Sequence, residues 1–206
     1  MELTKRDIRT DKFYQRMGRN ICNSNTGDKD TMIFTETKFN GVFLIEPEKL
    51  EDERGFFARI WDKKVFESKG LNPEINQCST SFNNKKGTFR GMHYQDSPYE
   101  EDKLVRCTKG TIFDVIVDLR PLSSTYKQWI GFELSEKNQK IVYLPKGIAH
   151  GFQTLTDNTE IFYQISQEFM PDYSRGFRWD DPTFKIKLPL VISVISQKDL
   201  SYDIFG

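Results

Sequence analysis

The stretch GTIFDVIVDLRP, residues 110–121, decides the fold class because its side chains alternate with a period of two. Successive side chains of a β-strand point to opposite faces, so residues two apart share a face. One face then carries Phe113, Val115, Val117 and Leu119, and the other carries Ile112, Asp114, Ile116 and Asp118. The stretch therefore predicts a β-strand that ends before Pro121.

Short apolar runs recur along the rest of the chain, with turn residues between them. Examples are GVFLIEP at 41–47, YLPKGIAHGF at 143–152 and EIFYQIS at 160–166. The 17 phenylalanines favour a β-rich interior, since aromatic residues fit a pleated, half-buried surface. Helical periodicity is limited to about residues 62–69. The pattern predicts an all-β sandwich or barrel with a few short helices.

Length and local composition predict the domain organisation. A chain of 206 residues suits one domain. Residues 1–31 are polar and end in the turn-rich segment NSNTGDKD. We expect an N-terminal extension over 1–31, flexible or packed at the domain edge, and a compact domain over 32–206.

The charge balance excludes several classes of partner. With 30 basic and 30 acidic residues, the chain has no overall basic field to attract nucleic acid or an anionic membrane. No apolar run is long enough to span a bilayer, and the N-terminus has no apolar stretch typical of a secretory signal. Cys22, Cys78 and Cys107 show neither metal-ligand nor disulfide spacing, so we expect reduced, buried thiols in a cytoplasmic protein.

The two histidines are the clearest sign of chemistry. His93 lies in FRGMHYQ and His150 in PKGIAHGF, and glycines beside both would let the backbone approach a ligand closely. A metal site is not expected, because there is no third histidine and no HxH pair. No nucleophile elbow or phosphate-binding glycine loop is present. Acid–base chemistry remains, with His93 as a suitable base. Tyr163 alternates with Ile161 and Ile165, so it could point into a barrel, although the pattern alone favours a core tyrosine with one buried hydrogen bond.

Seven motifs, in order and at matching spacing, give the chain its resemblance to a known family. They are DERGFF at 52–57, FRGMHYQ at 89–95, KLVRCTKGTIFDVIVDLR at 103–120, YLPKGIAHGF at 143–152, EIFY at 160–163, RGFRWDDP at 175–182 and SQKD at 196–199. From about residue 32 to residue 199 the chain resembles the dTDP-4-dehydrorhamnose 3,5-epimerase family. The resemblance implies a jelly-roll, cupin-like barrel that works as a homodimer without metal or cofactor.

The resemblance also implies roles for individual residues. His93 is the expected general base, Asp199 orients its imidazole, and Tyr163 is the general acid on the opposite face of the sugar. Lys103 faces the sugar carbonyl and His150 lines the same site. Contacts to the substrate and its diphosphate are expected from Arg90 and Arg54. The expected substrate is a nucleoside-diphosphate 4-keto-6-deoxyhexose, whose ketone acidifies the hydrogens on C3 and C5.

Three positions depart from the family pattern and bear on substrate choice. Arg59 stands where the family has a glutamate near the nucleotide, which leaves the thymidine base open. Gln77 replaces an asparagine, and Phe169 replaces a tyrosine. Two other functions remain open: an isomerase that moves the keto group, and an inactive member that only binds a sugar nucleotide. Asp180 and Asp181 in WDDP are expected to be structural.

Overall fold

The computed structural model of the chain describes residues 32–205. The predicted extension over residues 1–31 lies outside the described residues. Within the described part, no helix is both long and apolar enough to cross a membrane.

The described chain is built mainly from short β-strands. In chain order they are β1 (Met32–Glu36), β2 (Phe43–Pro47), β3 (Lys49–Asp52), β4 (Gly55–Ala58), β5 (Gln77–Asn83), β6 (Phe89–Gln95), β7 (Lys103–Lys109), β8 (Thr111–Asp118), β9 (Trp129–Ser135), β10 (Ile141–Leu144), β11 (Ile148–Thr154), β12 (Thr159–Ile165) and β13 (Ser174–Gly176). Two short helices, α1 (Lys63–Ser68) and α2 (Gln197–Leu200), and a 3₁₀ turn (Pro171–Tyr173) complete the elements.

The strands form two larger sheets and one separate hairpin. One sheet has the order β1-β2-β10-β7-β12-β5, and the other has the order β13-β6-β11-β8-β9. Neighbouring strands in both sheets are antiparallel. Strands β3 and β4 pair only with each other. The prediction of an all-β fold with a few short helices is confirmed.

The inner faces of the two larger sheets share one apolar core. Ile112 and Ile116 of β8 pack there with Val105 of β7 and Ile161 of β12. The opposite face carries the other predicted residues, Phe113, Val115, Val117 and Leu119. They pack in a second cluster with side chains from the C-terminal segment. The alternation predicted for residues 111–119 is therefore confirmed, and both faces of the strand are covered. Burial of this kind contributes about 25 cal/mol per Å² of apolar surface.

Local capping explains the helix predicted near residues 62–69. Asp62 precedes α1, and its carboxylate accepts hydrogen bonds from the backbone N–H groups of Lys64 and Val65. Phe66 then packs fully buried on the outer face of the six-stranded sheet.

Asp181, in the WDDP motif, is buried as well, and its oxygens accept hydrogen bonds from backbone N–H groups, including that of Phe205. The structural role expected for this carboxylate is confirmed.

Candidate active site

A cavity of about 340 Å³ is lined by residues of both larger sheets and of the C-terminal segment. Five of the predicted site residues line it: Arg90, His93, Lys103, Phe169 and Asp199. Sequence reasoning missed other lining residues, among them Glu101, Ser196 and Lys198. Lys198 stands beside Asp199 in the SQKD motif, so that motif could have indicated it.

His93 and Asp199 form a carboxylate–imidazole pair at the cavity wall. His93 Nε2 lies 2.7 Å from Asp199 Oδ1, and the imidazole is 39% exposed. The backbone N–H of Gly91 donates to the other carboxylate oxygen at 3.4 Å. Burial alone would raise the pKa of Asp199, but the hydrogen bonds from His93 and Gly91 outweigh it and hold this pKa below its usual range. The carboxylate is therefore ionised and can orient the imidazole.

Two glycines bring His93 and His150 next to each other. A Cβ atom on Gly91 would lie 2.5 Å from Cα of Gly151, and one on Gly151 would lie 2.7 Å from Sδ of Met92. Only glycine allows β6 and β11 to approach this closely. The glycines thus serve strand packing, and the close approach of a ligand expected from the sequence stays a prediction. Across this contact the backbones of His93 and His150 are directly paired.

His150 belongs to a second carboxylate–imidazole pair, which lies deeper. Its Nε2 is 2.6 Å from Asp114 Oδ1, and both side chains are buried. Burial raises the pKa of Asp114, and the contact with His150 offsets this only in part. The sequence contained a signal for this pair, since Asp114 is a carboxylate between Ile112 and Ile116 on one strand face.

Tyr163 packs against the inner core, behind the cavity wall. Its ring meets the ring of His150 edge to face, with centroids 6.3 Å apart. Its hydroxyl lies 3.2 Å from Oγ of Ser81. Burial raises the pKa of Tyr163, which keeps the phenol protonated. Tyr163 is not among the residues that line the cavity, although Ile165 on the same face of β12 is.

Two basic side chains at the cavity are held by polar partners. Lys103 Nζ lies 2.5 Å from Glu101 Oε1, and both side chains are largely buried. Arg90 donates from Nε to Asn83 Oδ1 at 2.8 Å, and its terminal nitrogens have no hydrogen-bond partner within residues 32–205. Two of the three positions that depart from the family pattern meet beside the cavity, because the backbone N–H of Phe169 donates to Oε1 of Gln77 at 3.2 Å.

Arg54 and Arg59 do not line the cavity of their own chain. Arg54 lies at the turn between β3 and β4, exposed and paired with Asp52. Arg59 pairs with Asp62 at 3.1 Å, just before α1. The predicted substrate contacts of these two arginines stay predictions.

The cysteines differ from expectation at one position. Cys107 is buried, and desolvation raises its pKa to about 12. Cys78 is exposed, so the prediction of a buried thiol is wrong there. Cys78 alternates along β5 with Gln77 and Ser79 and shares the outward face with the exposed Phe82. Over residues 32–205, no cluster of three potential metal ligands is found.

A double-sheet β fold with an oriented imidazole and a lysine lining one cavity is typical of an enzyme that works by acid–base chemistry. Comparison with known proteins names the family. The model of the dTDP-4-dehydrorhamnose 3,5-epimerase family matches residues 36–205, and the chain belongs to that family.

Individual relatives agree with this assignment. The dTDP-4-dehydrorhamnose 3,5-epimerase of Sinorhizobium fredii is 39% identical over 173 residues, which cover 84% of this chain and 89% of the relative. The crystal structure of the Bacillus anthracis enzyme with TDP and pyrophosphate bound superposes with a TM-score of 0.82 at 38% identity, covering 84% of this chain and 99% of that one. The structure of a Legionella pneumophila epimerase in complex with dTDP-4-keto-L-rhamnose superposes with a TM-score of 0.78 at 34% identity. The match covers 83% of this chain and 91% of that one.

Proposed function

We propose that the protein inverts C3, C5 or both in a nucleoside-diphosphate 4-keto-6-deoxyhexose. The observation that carries this proposal is the His93–Asp199 pair, whose imidazole lines the 340 Å³ cavity together with Lys103. Carbanion formation next to a ketone needs a positioned base and a cation near the carbonyl oxygen. The cavity contains both groups.

The proposed reaction has two proton transfers. His93 removes the hydrogen on the carbon beside the C4 ketone, and the electron pair moves onto the ketone oxygen as an enolate. Lys103 stabilises this oxygen. Tyr163 then gives its phenolic proton to the carbon from the opposite face, which inverts the centre. The raised pKa of Tyr163 supports its role as the acid, because the phenol holds its proton until the enolate forms.

The nucleotide part is assigned to the outer end of the cavity. Arg90 has free guanidinium nitrogens that suit a diphosphate. Phe169 is exposed and lines the cavity, and its backbone is held by Gln77. We assign Phe169 and Gln77 to the sugar and nucleotide contacts, and His150 to the inner end of the site.

We also propose a homodimer. The β3–β4 hairpin pairs with no other strand of the described chain and exposes Leu50, Phe56 and Phe57. Apolar residues grouped in this way are typical of an interface. In a dimer the hairpin would carry Arg54 to the cavity of the second copy, which would reconcile its predicted role with its distance from its own cavity.

The dimer proposal is tested by sedimentation. We expect a dimer for the wild type and a monomer for the Phe56→Ser, Phe57→Ser double variant. Leu122→Ser is the matched control, because Leu122 is an exposed apolar residue too but lies on a loop outside the hairpin. A wild type that stays monomeric at tens of micromolar would contradict the proposal. The cytoplasmic location expected from the sequence stays a prediction.

The activity is tested by incubation with dTDP- and CDP-linked 4-keto-6-deoxyglucose in deuterated water, followed by NMR. Exchange with inversion at C3 and C5 supports the 3,5-epimerase, and exchange at one carbon supports a single epimerase. Migration of the carbonyl signal would indicate the keto isomerase. Absence of exchange with either sugar nucleotide would indicate a binding protein.

Tyr163→Phe tests the division of roles. We expect it to retain deuterium exchange and to lose inversion, because removal and return of the proton are separate steps. Tyr126→Phe, at an exposed loop position, serves as the control with wild-type inversion. Normal inversion in Tyr163→Phe would exclude that residue as the acid.

A further inference from the structure

The molecule contains two carboxylate–imidazole pairs of nearly the same geometry. The Nε2–Oδ1 distance is 2.7 Å in His93–Asp199 and 2.6 Å in His150–Asp114. The two histidines lie opposite each other on β6 and β11. The epimerisation proposed above uses one pair as the base and leaves the purpose of the second pair open.

The two pairs differ in what surrounds the carboxylate. In the first pair, the second oxygen of Asp199 accepts the backbone N–H of Gly91, and the imidazole is 39% exposed. In the second pair, Oδ2 of Asp114 is buried and meets no hydrogen-bond donor within residues 32–205. The side chain of His150 is 7% exposed and that of Asp114 is 0% exposed. Only the first pair is therefore suited to carry a net negative charge.

This difference determines how many protons each pair holds. A buried anion without a compensating donor is costly, so the buried pair is most stable when it is neutral overall. The pair is neutral when it holds two protons. One proton lies in the hydrogen bond between Asp114 and Nε2 of His150, bound to either partner, and the other is on Nδ1 of His150. The exposed pair needs only one proton, on Nε2, and its Nδ1 is left bare and basic. The pKa directions agree, since that of Asp114 is raised and that of Asp199 is lowered.

We propose that Asp114 is a positioning residue that keeps a hydrogen on Nδ1 of His150, so that this imidazole is a fixed donor rather than a second base. Nδ1 points away from Asp114 and has no hydrogen-bond partner among the described residues. The ring of His150 contacts the ring of Tyr163. In this proposal the donor stabilises, through the adjoining ring, the negative charge that appears on Tyr163 after it protonates the sugar. This role rests on the proposed function.

Other charged and titratable groups face the same region. His93 and Arg90 lie on β6, Cys107 lies on β7, and Tyr163 lies on β12. Asp114 and Cys107 raise the pKa of Tyr163, and Arg90 lowers it. Of these groups, only His150 touches both Asp114 and Tyr163 through its ring.

Imidazole ¹⁵N NMR of the untagged wild-type chain tests the proton positions without substrate. The sequence has only two histidines, so the spectrum contains two rings, and His93→Gln assigns them. At pH 8 we expect Nδ1 of His150 to carry a hydrogen and Nδ1 of His93 to be bare. A bare Nδ1 on His150 would overturn the proposal, whether or not the protein proves to be an epimerase.

Asp114→Asn tests the consequence for turnover. The amide oxygen can accept Nε2–H, so His150 becomes neutral and its Nδ1 loses the hydrogen. We expect inversion to slow by roughly 10- to 100-fold, while deuterium exchange, which depends on His93, stays within about threefold of wild type. Equal losses of both rates, or no loss of inversion, would overturn the role.

Asp118→Asn is the matched control for this substitution. Asp118 lies on the same face of the same strand and is equally buried, but it pairs with Arg120 outside the cavity. We expect its ratio of inversion to exchange to equal that of wild type. A ratio that falls as far in Asp118→Asn as in Asp114→Asn would count against the proposal.

Discussion

Asp199→Asn removes the charge that orients the proposed base and keeps the shape of the side chain. The amide can still accept the backbone N–H of Gly91, so the loss concerns mainly the 2.7 Å contact with His93. A hydrogen bond to a charged group contributes about 1.5–3 kcal/mol. At 1.36 kcal/mol per factor of ten, the rate of proton removal should fall by roughly 10- to 150-fold.

Deuterium exchange and inversion, followed by NMR in the same sample, measure this effect. Because His93 acts before the enolate exists, we expect both rates to fall together, unlike the separation expected for Tyr163→Phe. Asp180→Asn is the control, since Asp180 is an exposed carboxylate paired with Arg178. Exchange in Asp199→Asn within twofold of wild type would refute the assignment of this pair as the base.

Three further predictions concern the scaffold. Gly91→Ala should lower the free energy of unfolding, measured in urea, by about 3–5 kcal/mol, because φ is +134° and the new Cβ meets a neighbouring strand. Gly55→Ala is the control. Its φ is +126° but no described atom lies within 4 Å of the new Cβ, so the free energy of unfolding should fall by only about 1–2 kcal/mol. Burial tends to raise the pKa of Asp118, but side-chain and backbone hydrogen bonds lower it to about 2. Asp118→Asn should therefore lower the free energy of unfolding by about 2 kcal/mol at pH 7. The difference in this free energy between wild type and variant should shrink as the pH falls from about 4 to about 2, because protonation of Asp118 removes the same stabilisation from the wild type. Peptide mapping after a brief thiol-reagent pulse should find Cys78 labelled and Cys107 unlabelled, and the reverse order would contradict the burial described here.

The strand pattern and the family could be determined from the sequence alone. Alternation over residues 111–119 is a local property, and β8 shows it on both faces. Motif order and spacing identified the family, and five of the ten predicted site residues line one cavity. His150, Tyr163 and Gln77 contact that site from behind or beside it. Local periodicity and short motifs are sufficient for these conclusions because each depends on residues near one another in the chain.

Only the tertiary structure decided which groups share an environment. Asp199 is 106 residues from His93, and Asp114 is 36 residues from His150, yet each pair is in hydrogen-bond contact. The pairing of β6 with β11, the glycine contact and the burial of Asp114 arise from long-range packing. Desolvation depends on everything packed around a group, so the sequence could supply two histidines but could not tell which one keeps an available basic nitrogen.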